Sequence, residues 1–284
     1  MPDMKLFASQ SHDPFVNLAF EQDLLHQGVE AAFLWINDPC VVIGRNQNPF
    51  HEADLPFLEE AGIALARRIS GGGAVYHDRG NLNYSLVSAE PCGDRAARMA
   101  LEALADAGVP ARRSGRNDIV IGETKVGGLA EASDGHHLCH GTLMVDVDLE
   151  MLERALRPSP LKIDKHGIDS TRSRVENIAS LFDEVSADRL VRSFENVLGC
   201  KAQPAILDPA IHDQARYLKS HEWVFGEAPA FDVTLERVIE GDLYTLCLDI
   251  RKGVIRSARI YTDSLNAPDL DSACQHLVGK RFPE

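Results

Sequence analysis

The sequence predicts a soluble α/β protein of the α+β type: a larger mixed helix-and-strand part followed by a small α/β part. Three observations carry this. Segments with helical and strand-like patterning alternate up to Phe225-Gly226, after which three strand-like segments and one helix follow in succession. The hydrophobic fraction is 44% and the charged fraction 25%, which excludes a disordered or collagen-like chain. With 284 residues the chain is long enough to bury a core without disulfide or metal staples.

The elements are justified in order. Apolar positions recur at helical spacing over 15–26, and Asp13-Pro14 ahead of them is a start signal. Residues 31–36 and 40–43 are two short strands joined through the turn Asn37-Asp38-Pro39. A short helix is expected at 55–61, then strands at 63–69 and 81–88 around a glycine loop. A helix over 95–108 is closed by Gly108 and Pro110. Strands are expected at 118–121 and 139–147, and helices at 149–156 and 186–198. Between the last two, 157–175 reads as a long polar exposed loop, a kind that is often functional. Strands at 231–239, 243–250 and 254–261 are separated by Glu240-Gly241-Asp242 and Lys252-Gly253, and a helix follows at 269–277. The boundary falls near residue 228, so the expected domains are 1–227 and 228–284. A tail of that size is marginal unless it docks on the rest.

Lys plus Arg number 29 and Asp plus Glu 43, a net charge of −14. Such a surface repels phosphate backbones and anionic lipid, so neither nucleic acid nor membrane is an expected partner. No apolar run reaches the length of a membrane span, and the start has no apolar h-region. The six scattered cysteines form no CxxC pair, so free thiols in a reducing cytoplasm are expected, without zinc.

Three segments carry chemistry. In Arg67-Arg68-Ile69-Ser70-Gly71-Gly72-Gly73-Ala74-Val75-Tyr76-His77-Asp78, three glycines let main-chain N–H groups approach a ligand closely. Those groups can cradle a phosphate, and the two arginines can add charge-assisted hydrogen bonds. The other reading is a flexible turn beside a solvated arginine pair; the segment matches neither Walker A nor GxGxxG. In the second segment, 115–128, Gly122-Glu123-Thr124 is a hairpin turn that returns Lys125 beside Gly127 and Gly128. Lys125 is either a solvated strand lysine or a cation that neutralises phosphate. The third segment groups His136, His137, Cys139 and His140. Its spacing matches no standard metal set, and residues 139 and 140 of a strand face opposite ways. Cys139 is a thiol nucleophile or simply a core residue.

Taken together and in order, several stretches resemble the lipoate–protein ligase A family. They are Asp13–Ala19, Val42–Pro49, Arg67–Asp78 with Gly80-Asn81, Gly115–Asp118, Lys125-Val126, His140–Leu143, Ser173–Asn177, Glu222–Phe231 and Tyr261–Asn266. The likeness runs from about residue 5 to 277. It implies a catalytic domain akin to biotin–protein ligases, with mixed sheets flanked by helices, and a small C-terminal domain. It implies ATP-dependent activation of lipoate or octanoate as acyl-AMP, then transfer to a lysine of a lipoyl carrier protein or domain. By position, Lys125 is the catalytic residue that bridges the α-phosphate and acyl carbonyl. Arg68, Ser70, Gly72, Gly73, Ala74, Val75, Tyr76, His77, Asn81, Asp118, Gly128 and Thr142 surround the nucleotide and acyl group. Asp118 is the candidate Mg²⁺ ligand, a carboxylate suited to that hard ion. The protein is further expected to be a monomer, in the cytoplasm that the free cysteines indicate.

The sequence departs from the family at Gly127-Gly128-Leu129, where Ser-Gly-Ser or Ser-Gly-Thr is usual, and at Glu131-Ala132, in place of an aromatic–basic pair. A negative Glu131 beside an adenylate is unfavourable unless it points away. The C-terminal part is expected to be shortened, without the family's last helices. Transferases of the same fold use a cysteine just upstream of the lysine and no ATP; here that stretch reads Arg116-Asn117-Asp118. The ligase is therefore favoured, with the transferase and an inactive carrier-binding homologue as alternatives.

Overall fold

A computed structural model describes residues 4–115, 117–156, 175–228, 230–239, 242–262 and 270–283. The chain opens with β1 (Lys5–Ala8), α1 (Pro14–Gln27), β2 (Ala31–Trp35), β3 (Cys40–Ile43), α2 (Pro49–Glu52) and α3 (Leu55–Ala61). Next come β4 (Ala64–Arg67), β5 (Val75–His77), β6 (Asn81–Ser88), α4 (Gly93–Asp106), β7 (Ala111–Ser114), β8 (Asp118–Ile121), β9 (Thr124–Asp134) and β10 (His136–Met144). Then follow α5 (Leu149–Ala155), α6 (Ile178–Leu181), α7 (Ala187–Leu198), β11 (Gln203–Pro204), α8 (Pro209–Leu218) and α9 (His221–Val224). The chain closes with β12 (Phe231–Ile239), β13 (Asp242–Arg251), β14 (Val254–Thr262) and α10 (Leu270–Leu277).

An eight-stranded mixed sheet runs in the order β11-β1-β2-β6-β10-β9-β8-β7. Only β11/β1 and β1/β2 pair in parallel; from β2 to β7 every pair is antiparallel. One face is apolar and carries Ala32, Leu34, Leu82, Leu86, Cys139 and Leu143 under α4 and α7. The other face meets α1, which is buried on nearly all sides. Asp13 caps α1 by accepting from the N–H groups of Phe15 and Val16, Pro14 opens it, and Gly28 ends it in the left-handed conformation. A small sheet, β4-β3-β5, lies beyond and carries the glycine loop between β4 and β5. A third sheet, the antiparallel meander β12-β13-β14, has its own small apolar cluster with Val233, Leu248, Ile250 and Ile255.

The C-terminal meander docks on the rest. Phe282 stacks on Phe50 with ring centroids 4.9 Å apart, and His221 Nε2 donates to the Phe282 carbonyl at 3.1 Å. Lys252 and Gly253 both take positive φ, as the tight β13–β14 turn requires.

Most expected elements are present, with corrections. The strands around Asn37-Asp38-Pro39 do not pair with each other; β2 belongs to the large sheet and β3 to the small one. The expected 63–69 strand is only β4, and β5 follows the glycines directly. Strands β1, β5, β7 and β11 and helices α2, α6, α8 and α9 were not read from the sequence. The loop at 157–174, Arg116, the Glu240-Gly241 turn and 263–269 lie outside the described residues. Among the described residues, no helix is long and apolar enough to cross a membrane.

Candidate active site

Strand register assembles the site. Partners in adjacent strands project from the same side of a sheet, and every second residue shares that side. One cross-strand row therefore reads Phe33, Ser85, His140, Ala130. The next reads Trp35, Asn83, Thr142, Gly128, Asp118. Both lie on the face toward α1 and the glycine loop. The second row passes from an indole at one end to a carboxylate and Lys125 at the other.

At the charged end, Lys125 Nζ pairs with Asp118 at 2.7 Å, and both side chains are about one-third exposed. The β8–β9 hairpin that the sequence predicted holds them together. A Cβ on Gly128 would lie 3.6 Å from Lys125 Cε, in ordinary contact, while one on Gly127 would collide with the Thr142 carbonyl. The second of these explains why a serine does not stand at 127. An anion entering here displaces Asp118 from Lys125 or adds to the pair. Among the described residues no group of three or more His, Cys, Asp or Glu gathers as a metal site. Mg²⁺ typically takes one or two carboxylates together with substrate phosphates, so Asp118 suits it only as a partner of phosphate oxygens.

The glycine loop is shaped from behind by Arg68, which is 5% exposed. Its Nε donates to Ser70 Oγ at 2.9 Å and to the Gly71 carbonyl. Nη1 donates to the Val42 carbonyl, and Nη2 to those of Gly71 (2.6 Å) and Gly73 (2.8 Å). A trans peptide is planar, so carbonyls held by Arg68 turn the N–H groups of Gly72 and Ala74 the other way. Neither N–H donates to another described residue. Gly72 has φ +89°, which favours glycine, and Gly44 must lack a Cβ because Gly72's carbonyl occupies that space. Gly71 and Gly73 face open space. Val75 and Tyr76 continue into β5, with Tyr76 buried and its hydroxyl pushed up to about 12 by burial and the nearby Asp78.

The expectation that both arginines reach phosphate is corrected for Arg67. Its guanidinium is wholly buried and donates to the carbonyls of Gly44, Arg45, Gln47, Trp223 and Val224. Trp223 Nε1 donates back to the Arg67 carbonyl at 2.7 Å. Arg67 is a staple between the small sheet and α9. Burial lowers both guanidinium pKa values to about 10, which leaves them charged at neutral pH.

The apolar end contains His77 and Trp35, 6.0 Å apart edge to face. Asn37 Nδ2 donates to His77 Nδ1 at 3.1 Å, so the proton resides on Nε2. That N–H is buried without a partner among the described residues. Burial, with help from the nearby Arg68 charge, lowers the His77 pKa to about 3, so the ring is neutral. Asn81 Nδ2 donates to Asn83 Oδ1 while its own Oδ1 is buried and unpaired in the same sense. Buried polar atoms without partners are rare and mark places where a ligand or water completes the bonding.

Sequence reasoning missed Trp35, Asn37, Asn83, Ser85 and Glu21. Their signal was polarity inside strongly apolar elements, such as Glu21 in an otherwise buried helix and Asn81, Asn83, Ser85 in alternation along β6. Two other expectations resolve. Cys139 is buried on the opposite face, and burial raises its thiol pKa, so it is no nucleophile for this site. Glu131 shares that opposite face and lies against Gly93, the first residue of α4. Cys92 provides no side-chain cap there, so the helix N-terminus accounts for the negative charge.

Residues 13–199 match the model of the lipoyl protein ligase A/B catalytic domain, well over half the chain. The chain belongs to that family. A lipoate–protein ligase A solved with bound ATP is 28% identical, with 80% of this chain and 100% of that one covered and a TM-score of 0.66. A bipartite lipoate–protein ligase from Thermoplasma acidophilum, studied with its E2 lipoyl domain, is 31% identical over 79% of this chain and 98% of its own, TM-score 0.63. LipL1 of P. falciparum, solved with lipoate, covers 98% of this chain at TM-score 0.69 and 20% identity, a likeness of fold. The mixed sheets flanked by helices are the lipoate-ligase catalytic fold.

Proposed function

We propose that this protein is an ATP-dependent lipoate–protein ligase: it joins lipoate or octanoate to AMP and passes the acyl group to a lysine of a lipoyl carrier domain. The observation that carries this is the row on one sheet face that runs from Trp35, against which His77 of β5 packs, to Asp118 and Lys125, under a glycine loop whose Gly72 and Ala74 N–H groups have no partner among the described residues. An acyl chain takes the apolar end, and the carboxylate lies toward Lys125. Two anions meet when the carboxylate attacks the α-phosphorus, and fixed donors must offset that charge. Lys125 Nζ and the Gly72 and Ala74 amides would supply these donors, and Arg68 would act by holding the loop. Asp118 would hold Mg²⁺ with the phosphates, which adds positive charge there. Thr142 and Gly128 stand in the row between the two ends, Asn81 lies on the same face and Gly73 faces open space in the loop, so these four would contact the ligand along its length.

ATP-bound and lipoate-bound relatives support the reading, as does the E2 lipoyl domain partner of the Thermoplasma system. We further propose residues 1–227 as the catalytic part and 228–284 as an accessory part, acting as a cytoplasmic monomer. Lipoate-dependent exchange of pyrophosphate into ATP is the test. The ligase exchanges label only when lipoate is present; exchange that ignores lipoate, or none, contradicts the proposal.

A further inference from the structure

Two chains of hydrogen bonds converge on one buried carboxylate of α1. From the apolar end of the site, Trp35 Nε1 donates to Ser85 Oγ at 3.1 Å, and Ser85 Oγ donates to Glu21 Oε1 at 2.5 Å. From the glycine loop, Arg68 Nε donates to Ser70 Oγ at 2.9 Å, and Ser70 Oγ lies 2.6 Å from His140 Nε2. His140 Nδ1 lies 2.8 Å from the same Glu21 oxygen. A carboxylate accepts, so Nδ1 carries the ring proton and Nε2 accepts from the Ser70 hydroxyl. Both hydroxyls are then fixed, each with one donor behind it and one acceptor ahead. Every bond in the two chains points toward Glu21. All six side chains are buried, Glu21 completely.

The far end of the second chain shapes the loop. Arg68 Nη2 holds the Gly71 and Gly73 carbonyls, while the Gly72 and Ala74 N–H groups have no partner among the described residues. Ser70 lies on the side of Arg68, behind the loop, where it supports the guanidinium. Burial lowers the Arg68 pKa and the charge of Glu21 opposes that, so the two ends of this chain also interact electrostatically. A buried carboxylate is costly, and an apolar residue of similar volume is often as stable in its place. Glu21 Oε2 has no partner among the described residues, and most other buried residues of α1 are apolar. Its presence therefore needs a reason beyond stability. In a network with a single arrangement of protons, releasing one bond loosens the donors behind it.

We propose that Glu21 is a positioning residue that sets both ends of the site at once: through Ser85 it orients the Trp35 indole, and through His140 and Ser70 it fixes Arg68 and the glycine loop. The inference rests on the reading above for what the two ends hold, an acyl chain and a phosphate. The link between the ends rests on the hydrogen bonds alone. An acyl chain seated against Trp35 then acts on the loop, and by reciprocity a nucleotide at the loop acts on the apolar end.

The chain has two tryptophans, so the apolar end can be watched directly. The whole protein with isotope-labelled tryptophan gives two indole N–H resonances, which Trp35→Phe assigns. Ser70→Ala, made at the loop, should move the Trp35 resonance. In a Glu21→Leu background the same change should leave that resonance where Glu21→Leu alone puts it. His140→Leu cuts the chain at another link and should give the same silence if Glu21→Leu does not fold. A Trp35 resonance that Ser70→Ala leaves unmoved, or moves equally without Glu21 or His140, overturns the proposal. Kinetics supply a second readout. In lipoate-dependent pyrophosphate exchange, Ser85→Ala should raise the KM for ATP and Ser70→Ala the KM for lipoate, each about two- to tenfold. Neither cross effect should survive in Glu21→Leu. Variants that each change only the KM of the substrate at their own end overturn the proposal. A wild-type protein without lipoate-dependent exchange overturns the ligase reading instead, and the indole spectra then decide the role of Glu21 by themselves.

Discussion

The two faces of the large sheet divide the work between them, often one residue apart. Cys139 packs in the core under α4, while His140 hydrogen-bonds Ser70 and Glu21. Leu34 and Trp35, and Leu82 and Asn83, make the same division on β2 and β6. One face is largely apolar and supplies stability, although the Tyr84 hydroxyl is buried there without a partner among the described residues; the other carries Asn81, Asn83, Ser85 and His140, with Asn81 Oδ1 left without such a partner, as are His77 Nε2 and Glu21 Oε2 on the elements packed against that face. Strand alternation lets one segment do both, and substitutions on the two faces should differ in kind.

The largest expected effect is on the polar face and concerns acid. His77 has a folded pKa of about 3 against an unfolded value near 6.5, so protons favour the unfolded chain. His77 costs nothing above about pH 6.5, and the stability lost as pH falls toward 3 is on the order of 5 kcal/mol in all. His77→Gln should flatten the dependence of urea-melt stability on pH between 6.5 and 3; an unchanged slope assigns the acid sensitivity elsewhere. Next, Lys125→Ala should lower adenylate formation by ~3–4 kcal/mol in barrier, about a hundred- to a thousandfold. Its melting temperature should hardly move, because a partly exposed ion pair contributes only ~0–1 kcal/mol. Pyrophosphate exchange and a thermal melt on the same preparation check both halves. On the opposite face, Leu143→Ala should cost ~2–5 kcal/mol of stability by leaving a cavity, with turnover per folded molecule unchanged. A loss of turnover there would erase the contrast between faces.

Two smaller effects sharpen it. Gly72→Val meets backbone strain, of order 1–3 kcal/mol, whereas Gly73→Val meets nothing in the protein itself. Both should weaken binding of a non-hydrolysable lipoyl-adenylate mimic in calorimetry, but only the first should lower the melting temperature. Equal affinity in Gly73→Val and wild type would mean that no ligand passes that glycine. Glu131→Ala should cost no more than ~1 kcal/mol of stability, through the α4 N-terminus, and leave the KM for ATP unaltered. A lowered KM would place Glu131 near the nucleotide after all.

Much of this arrangement was legible in the sequence, and the physical reason is local. The β8–β9 hairpin is written in Gly122-Glu123-Thr124, so Lys125 was correctly expected on the returning strand beside Gly127 and Gly128; its ion pair with Asp118 was not foreseen. The glycine run announced a close approach to a ligand, and Gly72's positive φ bears out its need for glycine. What sequence did not show was long-range register. Nothing in residues 13–28 says that Glu21 meets His140, since that contact depends on α1 crossing β10. Arg67 and Arg68 are adjacent and look alike in sequence; only the fold turns one into a staple for α9 and the other into the frame of the glycine loop. Glu131 looked hostile to a nucleotide because its face could not be assigned without the pairing of Cys139 with Glu131.

The central claim is that the polar face takes an acyl-adenylate. A crystal structure with a non-hydrolysable lipoyl-adenylate mimic tests it most directly. The phosphate should lie within hydrogen-bond distance of Lys125 Nζ and the Gly72 N–H, with the acyl chain against Trp35 and His77. A mimic seated elsewhere, such as the apolar groove between Phe50, Phe225 and Phe282, with the Lys125–Asp118 pair undisturbed, would contradict it.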